Sequence, residues 1–234
     1  MQTFENGAKS YGLALSAGQL GQFEEYYKHL VERNQVMNLT AITERDEVET
    51  RHFLDSLALL QVADFKGKRL IDIGTGAGFP GVPLKIAEPT LEVTLLDSLG
   101  KRVTFLEEVC SVLGLEGIQC VHGRGEEWVA ESGARESYDY ATSRAVARLN
   151  LLAELALPYV RVGGAFLAMK TSRAEEEVAE AKNALAILGG EVESCYDYTL
   201  PGMDATHRIV VIRKVAETPA QYPRRWARMQ KQGL

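Results

Sequence analysis

Two stretches near the start of the chain carry hydrophobic residues at helical spacing. The first covers residues 17–34, and Ser16 stands directly before it in the position of an N-cap residue. The second covers about residues 44–62, and the segment 38–42 links the two. Their apolar faces consist of Leu20, Phe23, Tyr27, Leu30 and Val31 in the first helix and Val48, Phe53, Leu57 and Leu60 in the second. We therefore expect a helical extension over residues 1–66 that packs on the rest of the chain.

From residue 69 onward, short β-rich apolar runs alternate with helical stretches. The predicted strands are 69–73, 92–97, 118–123, 138–143, 164–170, 191–200 and 208–214, and the helices between them centre near 84, 106, 128, 153 and 181. Such alternation is typical of a parallel sheet with right-handed crossovers. Only a short loop separates the last two strands, so they should form a hairpin that adds one antiparallel strand. The prediction is an α/β core over 67–216 with a seven-stranded, mostly parallel sheet, followed by a tail over 217–234.

Composition limits the environment and the partners of the chain. Its 234 residues contain no apolar run near the roughly 20 residues that span a bilayer, and the first residues lack a signal-peptide pattern. We expect a cytoplasmic protein without membrane contact. Cys110, Cys120 and Cys195 fit neither a disulfide framework nor a zinc spacing, so we expect no metal. The net charge of -6 by itself disfavours nucleic acid, but from Lys214 onward five basic residues accompany only Glu217.

The motif with the clearest chemistry is LIDIGTGAGFPG, residues 70–81. A buried strand runs directly into Gly74, Gly76 and Gly78, and a helix follows. Glycines suit a tight turn whose backbone a ligand approaches closely. The spacing differs from the dinucleotide fingerprint, because Phe79 occupies the position of its third glycine.

Acidic residues near this turn indicate an adenosine pocket without a phosphate site. Asp72 precedes the turn and suits a ligand amino group, reached directly or through water. Asp97 ends the next strand, where a carboxylate can accept hydrogen bonds from both ribose hydroxyls. Gly125 and Glu126 follow the third strand and could hold the adenine edge. S-adenosylmethionine has these groups and no phosphate; the alternative is that Asp72 and Asp97 only cap strand ends.

Several motifs together resemble the bacterial small-subunit ribosomal RNA guanine-N7 methyltransferases, also called glucose-inhibited division protein B. They are VMNLTAI, RHFLDSLAL, LIDIGTGAGFPGVPLKIAEP, VTLLDSLGKRVTFLEEV, GRGEE, SRAVARL and YPRR, in order over about residues 34–225. The resemblance implies the Rossmann-like class I sheet of S-adenosylmethionine-dependent methyltransferases. It also implies methylation at N7 of one guanine in the decoding region of 16S rRNA, as naked RNA or in the small ribosomal subunit. The tail RWARMQKQGL departs from the Gly- and Pro-containing tail usual in that family.

The resemblance also implies a set of cofactor contacts. These map onto Gly74, Phe79, Asp97, Ser98, Leu99, Gly125, Glu126 and Arg144. Phe79 could stack on the cofactor or the base, or pack within a helix. Trp128 and Trp226 are expected to pack rather than stack on a base.

Guanine N7 carries a lone pair and no proton, so its methylation needs no general base, and we assign no catalytic residue. Arg144, at the end of the fourth strand, could orient cofactor, phosphate or base; the alternative is a salt bridge to Asp139 or a nearby Glu. His52 and Asp55 could line the substrate cleft or serve in a cap or the core. Candidates for RNA contact, with isolated or solvated surface charge as the alternative, are Lys101, Arg102, Arg148, Lys170, Arg173, Arg224 and Arg225.

Three other functions stay open at this point. A small-molecule methyltransferase should have an apolar lid over its pocket and no salt-sensitive RNA affinity. A cofactor-binding RNA chaperone would bind rRNA and S-adenosylmethionine without transferring a methyl group. A NAD-dependent oxidoreductase is the weakest alternative. The sequence says little of oligomeric state, and we expect a monomer.

Overall fold

A seven-stranded sheet forms the centre of the computed structural model, which describes residues 2–131, 133–144, 147–170 and 174–234. The strands are β1 (Arg69–Ile73), β2 (Glu92–Asp97), β3 (Ile118–His122), β4 (Tyr138–Arg144), β5 (Val160–Lys170), β6 (Gly190–Thr199) and β7 (Thr206–Lys214). Their order across the sheet is β3-β2-β1-β4-β5-β7-β6. Strands β1 to β5 pair in parallel, whereas β7 is antiparallel to both β5 and β6. The predicted mostly parallel sheet and its terminal hairpin are confirmed.

The helices alternate with the strands and flank the sheet on both faces. They are α1 (Gln2–Ser10), α2 (Ala17–Met37), α3 (Arg45–Val48), α4 (Asp55–Leu57), α5 (Gly81–Ala87), α6 (Gly100–Val112), α7 (Gly125–Glu131), α8 (Leu149–Ala156), α9 (Ala174–Leu188) and α10 (Trp226–Lys231). A π-helical segment, Glu49–Leu54, joins α3 to α4, and one 3-10 turn, Ala58–Gln61, follows α4. No helix within the described ranges has the length and apolar character that crossing a bilayer demands.

The core lies in two layers, one on each face of the sheet. One layer contains α1, α2 and the 45–61 segment together with α5 and α6. The other is formed by α7, α8 and α9. Helices that follow neighbouring parallel strands reach opposite faces where the strand order reverses, between β1 and β4. This reversal opens the sheet edge at which ligands bind in such folds.

Helix α2 begins as predicted and buries a face that overlaps the predicted one and also includes Tyr26. The Ser16 side chain accepts from the Gln19 N–H, and the Gln19 side chain accepts from the Ser16 N–H, forming a capping box. Phe23 and Leu30 are buried as expected. Tyr26 is buried, and Tyr27 is partly covered. Tyr27 packs at the edge of the core as predicted, whereas Tyr26, which meets the glycine turn after β1, was missed.

A row of aromatic rings joins the N-terminal helices to that turn. Phe4 of α1 packs edge-on against Phe23 of α2 with ring centroids 4.7 Å apart, and Phe23 lies 5.0 Å from Phe53. Tyr26 stacks between Phe53 and Phe79, at 5.4 Å from each. These contacts bury the extension against the core through a continuous apolar surface.

Two helices differ from the prediction, and strand bounds shift by one or two residues in β3, β4, β6 and β7 and by four residues in β5. Helices α1 and α10 were not predicted, and each is short: nine and six residues. Strand β5 begins at Val160 rather than at 164, because Val160 pairs with Tyr138 before a register shift. The bounds of β1 and β2 are those predicted.

Candidate active site

The turn after β1 is a glycine loop held to the neighbouring strand. The N–H groups of Gly74 and Thr75 both donate to the Leu96 carbonyl of β2, at 2.8 and 3.2 Å. Gly74, Gly76 and Gly78 all have positive φ, which residues with a side chain rarely adopt. At Gly78 a Cβ would lie 2.6 Å from the Tyr26 Oη, so the close approach of α2 also requires glycine there.

Asp72 lies beneath this loop and is completely buried. Its Oδ2 accepts from the Thr75 hydroxyl at 2.7 Å and from the Gly81 N–H at 2.9 Å, which ties the loop to the start of α5. Burial raises the pKa of Asp72 to about 6, against the two hydrogen bonds that lower it. Its Oδ1 has no hydrogen-bond partner among the described residues. The carboxylate supports the loop, and a ligand amino group could reach it only through this Oδ1.

Asp97 ends β2 and faces the loop from the other side. Its Oδ2 accepts from the Gly76 N–H at 2.9 Å and lies 3.4 Å from an Arg102 nitrogen. Its Oδ1 accepts from the Leu99 N–H at 2.9 Å, while Ser98 and Leu99 are exposed beside it. A carboxylate has about four acceptor sites, so Asp97 retains capacity for further donors.

These groups line a cleft of about 400 Å³ at the carboxyl edge of the sheet, which we call the first cleft. Its lining comprises Leu39, Thr40, His52, Gly74, Thr75, Gly76, Ala77, Phe79, Asp97, Ser98, Arg102 and Arg144. The structure thus brings together the predicted residues Gly74, Gly76, Phe79, Asp97 and Arg144. Gly78 and Asp72 stand behind the loop and do not line the first cleft.

A smaller side cleft of about 230 Å³ adjoins the first cleft and shares Gly74 and Ser98 with it. Gly125 and Glu126, predicted for the adenine edge, both lie here. The remaining lining is Ile73, Leu96, Gly123, Arg124, Leu155 and Trp226. Trp226 was expected only to pack, so its place on this wall is new. Its contribution was not visible from the sequence because it follows Glu126 by 100 positions.

Arg144, at the end of β4, is fixed by residues of the N-terminal extension. Its Nη1 donates to the Asp55 carboxylate at 2.9 Å and to the Arg51 carbonyl at 3.1 Å, and its Nη2 lies 3.2 Å from His52 Nδ1. Asp139, the partner considered from the sequence, pairs instead with Arg161. Two of the five N–H groups of Arg144 have no partner within the described chain.

His52 is an uncharged side chain at this position. Burial, together with the adjacent Arg144 guanidinium, lowers the pKa of His52 to about 4. His52 Nδ1 lies 3.1 Å from the Arg51 carbonyl and 3.2 Å from Arg144 Nη2, and Nε2 lies 2.9 Å from the Thr40 hydroxyl. The imidazole stacks on Phe79 with centroids 4.4 Å apart, and Arg144 lies 5.1 Å from the centre of the same ring.

A second cleft of about 550 Å³ opens on the other side of Arg144 and His52. It is lined by Ile42, Arg51, His52, Asp55, Arg144, Ala147, Arg148, Met169, Lys170, Glu177, Tyr198, Met203 and His207. Asp55 forms its buried floor, accepting from the Tyr198 hydroxyl at 2.7 Å and lying 3.4 Å from His207 Nδ1. Burial alone would raise the pKa of Asp55, but His207, Arg144 and Tyr198 together hold it below its ordinary value.

The residues predicted to contact RNA differ in how exposed they are. Lys170 is a nearly buried ion-pair partner of Glu177 at 2.7 Å, and Arg224 pairs with fully buried Glu154, so neither projects as a free surface cation. Arg102 lies in the first cleft beside Asp97. The exposed ones are Lys101, Arg148, which pairs with Glu180, and Arg225. Arg173 lies outside the described residues.

Strand order, glycine loop and the acidic end of β2 together define a class I methyltransferase. The fold recurs in solved structures: TYW2 of M. jannaschii in complex with AdoMet (TM-score 0.56, 9% identity, 74% of this chain and 78% of that one) and TrmN from Thermus thermophilus (TM-score 0.55, 22% identity, 69% and 48%).

Sequence comparison gives the family. The rRNA small subunit methyltransferase G family matches residues 19–201. Proteins named ribosomal RNA small subunit methyltransferase G are 51% identical in Lachnoclostridium phytofermentans, over 95% of this chain and 92% of that one, and 48% identical in Alkaliphilus oremlandii, over 98% and 97%. The chain belongs to the rRNA small subunit methyltransferase G family. This membership confirms the resemblance seen in the motifs and excludes the oxidoreductase hypothesis.

Proposed function

We propose that this chain transfers the methyl group of S-adenosylmethionine to N7 of a guanine in the decoding region of 16S rRNA. The observation that carries the proposal is the meeting of two clefts at one wall. Arg144 and His52 line both the first cleft, which is built around the glycine loop, and the second cleft beside it. A donor in one and an acceptor in the other would face each other across this wall.

The residues of the first cleft suit the cofactor. Asp97 accepts three hydrogen bonds and keeps one acceptor site for a ribose hydroxyl. Gly76 presents open space where a side chain would intrude. One of the remaining N–H groups of Arg144 suits the carboxylate of the methionine part, while Asp72, buried behind the loop, supports the glycine loop beside which its ammonium would lie. When bound, the cofactor supplies a methyl group activated by its sulfonium. Gly78 supports this arrangement indirectly through the loop.

The second cleft suits a purine that needs no deprotonation. Guanine N7 already carries a lone pair, so catalysis can rest on proximity and orientation. His52 is neutral and held by Thr40 and Arg144, so it serves as a fixed wall rather than a proton carrier. An Arg144 N–H near the junction could donate to guanine O6, which lies beside N7 on the same edge.

Exposed cations surround the openings and fit an RNA backbone. Lys101 begins α6 beside the first cleft, Arg148 borders the second, and Arg225 precedes α10. Phosphate contacts of this kind position RNA without reading its sequence. Both clefts are built from one chain, so we propose that a monomer acts, in the cytoplasm, on 16S rRNA or the small ribosomal subunit.

The test is transfer of label from tritiated S-adenosylmethionine to 16S rRNA and to assembled small subunits. Nucleoside mass spectrometry of the product should show 7-methylguanosine. Arg144→Gln should lose most transfer, whereas the matched control Arg161→Gln, whose ion pair lies at the opposite end of the same strands, should retain it. Cofactor binding without label in either RNA would refute the substrate, and label on another nucleoside would refute the N7 assignment.

A further inference from the structure

The C-terminal tail is anchored to the core before it reaches the side cleft. Arg135 donates to three backbone carbonyls of the tail: Thr218 at 2.7 Å, Pro219 at 3.1 Å and Tyr222 at 2.8 Å. Two residues past Tyr222, the backbone N–H and guanidinium of Arg224 make three bonds of 2.6–2.8 Å to Glu154. This is the geometry of a fixed segment rather than of a free basic arm.

The anchored tail places Trp226 against the side cleft. Trp226 is the first residue of α10, and its backbone N–H donates to Glu126 Oε1 at 3.4 Å. Met229, one turn later, is fully buried and holds the helix on the core. Trp226 lines the side cleft together with Ile73, Leu96 and Leu155. The cleft therefore has apolar walls and one polar edge, formed by Gly125 and Glu126.

These walls have the chemistry of an adenine site. Adenine has two apolar faces and a polar edge that needs hydrogen-bonding partners, and an aromatic side chain is a favourable surface for such a face. The side cleft joins the first cleft at Gly74 and Ser98, next to Asp97. A ribose held by Asp97 would therefore direct its base toward Trp226.

We propose that Trp226 is a cofactor-binding residue, and that the C-terminal tail forms one wall of the adenine subsite. The inference rests on the proposed cofactor, but not on the RNA substrate or on methyl transfer. It assigns to the tail a role in binding a small molecule, in addition to any contact of Arg225 with RNA.

The test is calorimetric titration of the full-length chain with S-adenosylhomocysteine. Trp226→Ala should raise the dissociation constant about tenfold, because the base loses the aromatic ring on which it stacks. Trp226→Phe should restore most of the affinity. The matched control is Arg228→Ala, an exposed position on the same helix that does not line the cleft, which should bind as the wild type does.

A ligand fragment separates a direct contact of Trp226 with the base from a general structural effect of the substitution. Adenosine should lose affinity by the same factor as S-adenosylhomocysteine in Trp226→Ala, since the missing contact is with the base. An unchanged dissociation constant in Trp226→Ala, or an equal loss in Arg228→Ala, overturns the inference while leaving the cofactor assignment intact. A wild-type chain that binds neither ligand overturns both.

Discussion

Arg144 and Asp55 form an ion pair of 2.9 Å that joins the end of β4 to the helical segment of the N-terminal extension. Both side chains are largely shielded from water, with 18% and 6% exposed. Asp55 also receives the Tyr198 hydroxyl and lies close to His207, so one carboxylate connects three parts of the fold. The wall between the two clefts therefore depends on this carboxylate.

Asp55→Asn should lower the free energy of unfolding by ~3 kcal/mol, because removing one charge of a buried pair leaves the other uncompensated. The rate of methyl transfer should fall as well, because Arg144 loses the carboxylate that holds it in place. Urea denaturation measures the first effect. The control is Asp197→Asn, whose partner Arg208 holds it in an exposed pair and whose loss should cost less than ~1 kcal/mol. Equal losses in the two variants would contradict the role of Asp55.

His52 should make stability depend on pH below neutrality. Its pKa is about 4 in the folded chain against an ordinary value near ~6.5, so the unfolded chain binds more protons between these values. The free energy of unfolding of the wild type should therefore fall as pH drops from about 6.5 to 4, by up to ~3 kcal/mol. His52→Gln should lack this part of the decline, as urea titrations at several pH values would reveal. If the difference in the free energy of unfolding between the two proteins stayed constant with pH, His52 would not be the group responsible.

Gly76→Ala should weaken binding of S-adenosylhomocysteine. A Cβ at Gly76 meets no atom within 4 Å, so it would project into the first cleft; its φ of +63° adds a strain of ~1 kcal/mol. Gly67→Ala is the matched control, with φ +64° and equally open surroundings away from the clefts. Both variants should lose similar stability in thermal melts, and only Gly76→Ala should lose affinity. Similar affinities for the two would place the ligand elsewhere.

Two adjacent arginines should behave in opposite ways. Arg224→Ala leaves buried Glu154 without its partner and should lower the free energy of unfolding by ~3 kcal/mol. Arg225→Ala, at an exposed position, should change the free energy of unfolding by less than ~0.5 kcal/mol. It should reduce RNA affinity, and the slope of log affinity against log salt concentration should fall by about 1. Denaturation and filter binding at several salt concentrations give both readouts. An unchanged salt slope would remove Arg225 from the RNA surface.

The features that the sequence predicted well are those set by neighbouring residues. Strands β1 and β2 have their predicted bounds because each apolar run is followed by residues that end a strand, at Gly74 and after Asp97. The glycine loop and its acidic neighbours were identified for the same reason. The family motifs extended this prediction to the whole core.

The features that it missed depend on partners far along the chain. Tyr26 and Tyr27 are adjacent on α2, and Tyr26 is the buried one because it packs between Phe53 and Phe79. Lys170 was predicted as a candidate RNA contact, but Glu177 of α9 pairs with it at 2.7 Å. Arg144 and Asp55 are 89 positions apart, and no local pattern connects them.

The row of rings that begins at Phe4 has a consequence for the far end of the molecule. Each ring in the series Phe4, Phe23, Phe53 and Phe79 contacts the next, and Phe79 directly follows the glycine loop. A protease that cuts near Gly12 would release Phe4 and expose part of the neighbouring rings to water. Loss of Phe4 would thus loosen the packing of the glycine loop, although the two are far apart in the sequence.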